Sequence, residues 1–247
     1  MAFVVIGNYV SPYVRKVLVC MELKGLAYEI DPIAPFVGDE AFERLSPLRR
    51  IPVLLHDGRT FNDSSVICQY LEDTHPAPAL YPADPADRAR ARWLEEYADT
   101  ALADALIRRL FYQKAIRPHV FGEERDEAVI GEAIGQHIPR ALDYLETQLP
   151  AEGFLFGALS IADIAIACMF RTAAFVRFAI DATRWPRSAA FVERVLALEP
   201  FRKLAQLEDA TLRQPLAEQR AALAAIGAPL TADTFGTSAP RHGLPRM

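Results

Sequence analysis

The first 75 residues alternate between strand-like and helix-like spacing of their apolar positions. Four short apolar runs predict strands: residues 3–6, 28–30, 52–55 and 60–61. The last two flank the turn His56-Asp57-Gly58 and predict a hairpin. Three segments with helical spacing predict helices: from Pro12 to before Gly25, 41–45 and 65–72. The predicted order of elements is therefore βαβαββα.

Four prolines between His75 and Asp87 end this mixed region, because proline disrupts helix and sheet interiors. Beyond them the spacing is wholly helical: residues 87–117, 127–149, 161–178, 189–198 and 201–207. The last 40 residues predict a loose tail. The predicted organisation is a mixed α/β domain at 1–76, a linker at 77–87, an all-helical domain at 88–207 and a C-terminal extension at 208–247.

Composition narrows the class of protein. Hydrophobic residues make up 51% of the 247 residues and charged ones 24%, so the chain can bury a substantial core. The net charge of −5 gives no basic surface for nucleic acid or anionic lipid. No apolar run is long enough to span a membrane, and the N-terminus does not resemble a signal peptide. Three cysteines without a CxxC motif indicate a reducing compartment, and we expect a cytoplasmic protein.

Ser11-Pro12 marks a helix start directly after the first predicted strand. Serine is a favoured N-cap and proline a favoured first helical residue, so capping alone explains the pair. A helix N-terminus is also electropositive and stabilises a thiolate, to which a serine hydroxyl donates a hydrogen bond. Both interpretations stay open from the residues alone.

Two further segments carry candidate chemistry. Pro52 begins a predicted strand, and a cis Ile51-Pro52 bond would turn the backbone of Ile51 outward to pair with a peptide ligand. Base rates favour a trans bond at an edge strand instead. Asp63-Ser64 opens a helix; the pair either caps it or binds an α-amino acid head group, the carboxylate through Ser64 and the ammonium through Asp63.

Other motifs are structural or missing. Ser160 and Asp163, flanked by Leu159 and Ile164, form a capping box with a hydrophobic staple that begins a buried helix. The histidines lack metal-binding spacing, so no metal site is expected. The sequence contains no GxGxxG, P-loop or GxSxG motif, which removes the usual support for dinucleotide-binding, NTPase and α/β-hydrolase functions.

In their order and spacing, these segments resemble the soluble glutathione transferase superfamily, in its serine-type members, over about residues 3–207. The segment 11–17 is similar to the first active-site turn of serine- and cysteine-type members. The segment 46–54 resembles the Asn-Pro-x-x-Lys-Val-Pro-x-Leu signature, and Asp63-Ser64 stands where the family has Glu-Ser. Tyr70-Leu71-Glu72, Phe154-Leu155-Phe156-Gly157 and Ser160-Ile161-Ala162-Asp163 also match family elements.

The resemblance implies a thioredoxin-like N-terminal domain, an all-helical C-terminal domain and a homodimer. It implies glutathione as co-substrate, with Ser11 bonding the sulfur. The implied glutathione-binding residues are Arg50 for the glycyl carboxylate, Ile51 and Pro52 for the cysteinyl backbone, Asp63 and Ser64 for the γ-glutamyl group, and Asp99 across the dimer interface. A cleft for a hydrophobic electrophile would be lined by Tyr9, Tyr13, Phe36, Arg108, Phe111 and Tyr112.

Departures from the family pattern leave alternatives open. Ser11 replaces the cysteine of thiol-exchanging classes, which disfavours reduction of glutathionylated proteins. The hydroxyls of Tyr9 and Tyr13 compete with Ser11 for the sulfur. Asp63 is one methylene shorter than the family's glutamate. The predicted activity is glutathione conjugation; the alternatives are glutathione-dependent isomerisation, dehalogenation or ether cleavage, or a non-catalytic interaction module.

Overall fold

The computed structural model describes residues 2–212, 214–237 and 240. The chain forms two compact units: the first joins the residues up to Pro78 with those from Glu199 onward, and the second is Ala79–Leu198. This division differs from the domain limits expected from sequence. Helix begins again at Pro85, inside the predicted linker, and residues 199–207 belong to the first unit rather than to the helical one.

The first unit contains a four-stranded mixed sheet with the order β2-β1-β3-β4. Its strands are β1 (Phe3–Ile6), β2 (Tyr28–Asp31), β3 (Val53–His56) and β4 (Arg59–Asn62). Strand β1 runs parallel to β2 and antiparallel to β3, and β3 and β4 form the predicted hairpin. The helices between the strands are α1 (Pro12–Leu23), α2 (Glu40–Leu45) and α3 (Ser64–Thr74). The predicted thioredoxin-like order βαβαββα is confirmed.

Local sequence signals explain how α1 begins and ends. Ser11 is its N-cap and Pro12 its first residue, as expected from residue types that suit a helix start. After Leu23 the chain reverses at Gly25, whose φ of +65° lies in the left-handed region that glycine adopts without a Cβ penalty. Most side chains of α1 are buried, because one side packs on the sheet and another on α3 and the later helix Glu199–Leu212.

The second unit is all-helical where the structure describes it, which confirms the predicted class. Its helices are α4 (Pro85–Tyr97), α5 (Ala98–Phe121, with π-type hydrogen bonding), α6 (Glu127–Glu132), α7 (Ala133–His137, also π-type), α8 (Ile138–Gln148), α9 (Ile161–Ala174) and α10 (Pro186–Leu196). Helix α9 is the core of the unit, since all but two of its residues are buried. The capping box predicted from Ser160 and Asp163 begins it.

The expectation of a loose tail after residue 207 is wrong for the residues described there. Helix α11 (Glu199–Leu212) extends past that limit, and α12 (Leu216–Ala225) follows it. Residues 228–237 then pair with the first unit through the bridges Ile30↔Leu230 and Gly38↔Gly236. The tail has few apolar residues, so its order comes from distant partners that a local pattern does not reveal. The predicted tail at 241–247, with His242, lies outside the described residues.

Candidate functional site

The strand register places three of the predicted site segments in one row. Ile6 pairs with Val53, and Val53 with Asn62. The next residue outward on each strand is Gly7 after β1, Pro52 before β3 and Asp63 after β4. Neighbouring strands lie about 4.8 Å apart, so these three positions follow one another along a single edge of the sheet.

Gly7 brings α1 against the Ile51-Pro52 segment. A Cβ at Gly7 would lie 2.5 Å from Cγ2 of Val14 and 3.2 Å from Cβ of Ile51, and the φ of Gly7 is +152°. No side chain fits at this position, so glycine allows the first turn of α1 and the proline segment to meet there. The sequence analysis did not single out Gly7; the available signal was a glycine directly after a predicted strand.

Ser11 caps α1 weakly and keeps its hydroxyl proton available. Its Oγ accepts a hydrogen bond from the backbone N–H of Val14 at 3.4 Å, at the long end of such bonds. Its side chain makes no other hydrogen bond among the described residues. Ser11 is partly exposed, and the unpaired N–H groups of the first helical turn give this position a positive potential. The residue therefore offers a hydroxyl donor to an anion at a helix start.

The Ile51-Pro52 peptide bond is cis, as the resemblance implies and against the base rate. Pro52 is buried, whereas Ile51 is partly exposed. Within the described residues, the backbone N–H and C=O of Ile51 make no hydrogen bond outside regular helices and strands. These groups are in a position to pair with the main chain of an extended ligand.

Asp63 divides its carboxylate between a cap and open solvent. Its Oδ1 accepts from the backbone N–H groups of Ser65 at 2.9 Å and of Val66 at 3.4 Å, at the start of α3. Its backbone holds a φ of +74°, which is uncommon for a residue with a Cβ. Asp63 is exposed, and its Oδ2 has no partner among the described residues, so capping and cation binding are compatible here. The neighbouring Ser64 is buried.

Arg50 has a fixed backbone and an exposed side chain. The hydroxyl of Ser46 donates to the carbonyl of Arg50 at 2.8 Å and accepts from its N–H at 2.9 Å. The guanidinium of Arg50 makes no ion pair among the described residues, unlike that of Arg49, which pairs with Glu43 at 2.8 Å. Arg50 is therefore a cation available to a carboxylate in solution.

Tyr9 does not fit either role expected from sequence. It is 1% exposed, and its hydroxyl has no hydrogen-bond partner among the described residues. Burial, with a smaller contribution from the charge of Glu22, raises the pKa of the Tyr9 phenol far above its usual value. A neutral phenol enclosed in the first unit neither lines an open cleft nor meets a ligand sulfur. Its place beside the exposed Ser11 made it look accessible in the sequence.

The remaining cleft candidates lie in different surroundings. Tyr13 is partly exposed near the start of α1, and Phe36 is buried in the first unit. In the second unit, Arg108 and Tyr112 are partly exposed, but Phe111 is buried and its ring lies 6.4 Å from that of Phe175. The common face expected for Arg108, Phe111 and Tyr112 is therefore not uniformly accessible.

Asp99 lies in the first turn of α5, in the second unit, and is partly exposed. Its contact with a ligand across a dimer interface stays a prediction.

The described residues show neither a metal cluster nor a membrane span. No group of three or more histidine, cysteine, aspartate or glutamate side chains in this part of the chain is arranged to hold a metal ion. None of the described helices is long and apolar enough to cross a bilayer. The cysteines are free and buried; Cys20 and Cys68, distant in sequence, meet with their sulfurs 3.6 Å apart.

Two family models match the chain. Residues 5–79 match the model described as glutathione S-transferase, N-terminal domain, and residues 104–194 match glutathione S-transferase, C-terminal domain. The first match contains the row of Gly7, Pro52 and Asp63 as well as Ser11. Both regions were assigned to this family from sequence motifs.

Individual proteins show the same similarity. The uncharacterised GST-like protein YibF of Escherichia coli K12 is 29% identical over 79% of this chain and 95% of its own length. Maleylacetoacetate isomerase of Rattus norvegicus is 29% identical over 75% of this chain and 84% of its own. A glutathione S-transferase structure from Rhodospirillum rubrum F11 superimposes with a TM-score of 0.75 at 26% identity, covering 82% and 91% of the two chains. A glutathione S-transferase structure from Methylobacillus flagellatus KT with glutathione bound gives 0.68 at 26% identity, over 82% and 98%.

Proposed function

Because the chain belongs to the soluble glutathione S-transferase superfamily, we propose that it binds glutathione on its first unit and activates the thiol for attack on a small hydrophobic electrophile. The observation that carries this proposal is the row of Gly7, cis-Pro52 and Asp63, with the Ser11 hydroxyl at the helix start beside it. A structural relative that binds glutathione supports the choice of ligand.

Each charged or polar part of glutathione has a complementary group in this region. The backbone of Ile51 pairs with the cysteinyl unit, and Arg50 meets the glycyl carboxylate. Oδ2 of Asp63 accepts from the γ-glutamyl ammonium, while Ser64 and the start of α3 bind the γ-glutamyl carboxylate. The sulfur then lies at the start of α1, within reach of Ser11.

The chemistry follows from the charge on that sulfur. A free thiol has a pKa of about 8.5, so only a small fraction is thiolate at pH 7. The Ser11 hydroxyl donates to the thiolate, and the N-terminus of α1 stabilises its charge. Each unit by which the thiol pKa falls corresponds to about 1.4 kcal/mol of preferential stabilisation of the thiolate. The thiolate forms a carbon–sulfur bond with the electrophile, which accepts the electron pair or expels a leaving group.

The test is a titration of bound glutathione that follows thiolate absorbance against pH. Ser11→Ala removes both the hydroxyl and the cap, whereas Ser11→Gly removes the hydroxyl but keeps most of the capping energy. We expect both variants to raise the thiol pKa by about one unit and to lower kcat/KM about tenfold. Asp84→Ala, which removes the cap of α4 in the second unit, is the matched control and leaves the pKa unchanged. An unshifted pKa in wild-type protein would contradict the proposal.

Isomerisation is the second candidate function, because maleylacetoacetate isomerase is among the relatives. In that reaction glutathione adds to the substrate and leaves again, so it acts as a cofactor. Product formed without net loss of glutathione would favour isomerisation over conjugation. Dehalogenation and ether cleavage consume glutathione and release halide or an alcohol, which separates them in the same assay. An interaction module would show no thiol activation.

We also propose that the chain forms a homodimer in the cytoplasm. Leu48 and Val66 are 65% and 52% exposed on the first unit, close in sequence to Arg50 and Ser64. Apolar side chains at this exposure suit burial against a second copy. Light scattering should give a dimer mass that Leu48→Glu reduces to a monomer, while Ile226→Glu, at a site also 51% exposed, leaves it unchanged. A monomeric wild-type protein would contradict this arrangement and the role of Asp99.

A further inference from the structure

We propose that Glu208 and Gln219, two residues of the C-terminal extension, position the turn that carries Ser11. This inference rests on the proposed role of Ser11 in thiol activation. The Ser11 turn, residues 8–11, links β1 to α1, and its side-chain support comes from Asn8 and Arg15. Each of these two residues is held in turn by a side chain about 200 residues further along the chain.

Asn8 fixes the main chain of the turn from its inner side. Its carbonyl accepts from the N–H of Ser11 at 3.1 Å, and its Oδ1 accepts from the N–H of Val10 at 2.9 Å. Its Nδ2 donates to Oε1 of Gln219 on α12 at 3.2 Å. Because the side-chain amide of Asn8 is planar, the bond to Gln219 sets the direction of the oxygen that holds Val10. Gln219 therefore orients the turn through Asn8.

Arg15 holds the other end of the turn. Its Nη2 donates to the carbonyl of Val10 at 3.3 Å, and its Nε pairs with Oε1 of Glu208 on α11. Arg15 and Glu208 are each 1% exposed. A buried guanidinium adopts one orientation when a carboxylate fixes it, and here that orientation aims Nη2 at the turn. Glu208 therefore acts on the turn through Arg15.

These contacts concern reactivity because the position of Ser11 Oγ follows from the backbone of the turn. Val10 is held at both its N–H and its C=O, and Ser11 at its N–H. A donor that stabilises a thiolate must keep its distance and angle to the sulfur, and small misplacements of a reacting group reduce rates strongly. Loss of either distant side chain should thus weaken thiol activation more than it weakens glutathione binding.

The first variant is Gln219→Ala, because Gln219 is partly exposed and its loss is compatible with folding. We expect the thiol pKa of bound glutathione to rise and kcat to fall about tenfold, with little change in the affinity for glutathione. Gln219→Glu keeps an acceptor for Asn8 and should restore kcat. Gln206→Ala, an exposed amide on α11 without a hydrogen bond among the described residues, is the control and should behave as wild type.

Glu208→Gln tests the second support. It keeps the size of the side chain but removes the charge that pairs with Arg15, and we expect the same rise in thiol pKa. Because a buried arginine without its partner can prevent folding, amide hydrogen exchange is measured on this variant and on Gln219→Ala. Faster exchange at Val10 and Ser11, with protection of α9 unchanged, is the expected result. Glu199→Gln, exposed at the start of α11, is the matched control.

The outcomes separate this inference from the proposed function. If Ser11→Gly raises the thiol pKa but Gln219→Ala leaves both the pKa and the exchange of Val10 unchanged, the positioning role is overturned and the function stands. If Ser11→Gly has no effect on the pKa, the proposed function fails and the inference fails with it. A parallel rise of the pKa in Ser11→Gly and Gln219→Ala, reversed in Gln219→Glu, supports both.

Discussion

At the scale of single residues, one buried carboxylate holds together the start of the central helix of the second unit. Asp163 is fully buried and accepts from the N–H of Leu155 at 3.0 Å, from the N–H of Ser160 at 2.8 Å and from the Ser160 hydroxyl. Burial raises the pKa of Asp163, although each of these hydrogen bonds acts in the opposite direction. The side chain therefore joins the loop before α9 to its first turn.

Replacing Asp163 by alanine should be strongly destabilising. The change leaves two N–H groups and a hydroxyl buried without their acceptor, so we expect a loss of about 3 kcal/mol in the free energy of unfolding, measured by urea denaturation. Asp84→Ala removes an exposed cap and should lose only about 1 kcal/mol. Equal losses in the two variants would show that Asp163 is an ordinary cap.

At the scale of elements, helix α10 takes its cap from another helix. Its own N-cap position holds Trp185, whose side chain makes no capping bond. Instead, the carboxylate of Glu146 on α8 accepts from the N–H groups of Arg187 at 2.8 Å and of Ser188 at 2.9 Å. The Ser188 hydroxyl also donates to Glu146, at 2.7 Å. The start of α10 is thus fixed by its packing partner.

This cap should make the second unit sensitive to acid. Burial raises the pKa of Glu146, but the hydrogen bonds from Ser188 and Arg187 together lower it below the usual value. A lowered folded-state pKa means that the carboxylate stabilises the fold above about pH 4.3, the ordinary value, and loses this contribution as the pH falls through the folded pKa.

We therefore expect Glu146→Gln to lower the free energy of unfolding by about 1 kcal/mol at pH 7 and by much less at pH 3. Urea denaturation at both pH values measures the difference. Glu152→Gln, an exposed carboxylate in the loop after α8, should show no difference at either pH. A loss for Glu146→Gln that is the same at pH 3 and pH 7 would exclude the charge as its cause.

At the scale of the whole molecule, the C-terminal extension covers an exposed edge of the sheet. Strand β2 is an outer strand, and Ile30 pairs there with the extension through Pro229 at 2.7 Å and Thr231 at 3.1 Å. The buried Asp31 accepts from Arg220 at 3.0 Å and from the N–H of Phe235 at 2.8 Å. An uncovered edge strand is a template for pairing with other chains.

A chain that ends after Leu212 should therefore aggregate and unfold at a lower temperature. Its β2 edge is exposed, and Asp31 keeps a buried charge without the donors that hold it. Size-exclusion chromatography with light scattering, together with thermal unfolding, measures both effects. A chain that ends after Thr237 keeps the pairing with β2 and should match the full-length protein. Equal behaviour of the two truncated chains would contradict the covering role.

The sequence predicts what depends on neighbours in the chain. Ser11-Pro12 and the Ser160–Asp163 box are within one helical turn, and the hairpin at Gly58 has its own turn signal, so each was found from local patterns. The bond between Asn8 and Gln219 spans 211 residues and leaves no periodic trace. Tyr9 was misjudged for a related reason, since only the packed structure decides which side of a turn faces inward.

The first unit is interrupted in the gene by the whole of the second, from Ala79 to Leu198. A ribosome adds about 5–20 residues each second, so on the order of ten seconds separate the synthesis of Pro78 from that of Glu199. During that interval the nascent β2 has no neighbour at its outer edge, and Arg15 has no counter-ion. The helical unit can fold while the ribosome is still elongating the chain. The catalytic half, although translated first, is the last to reach its mature form.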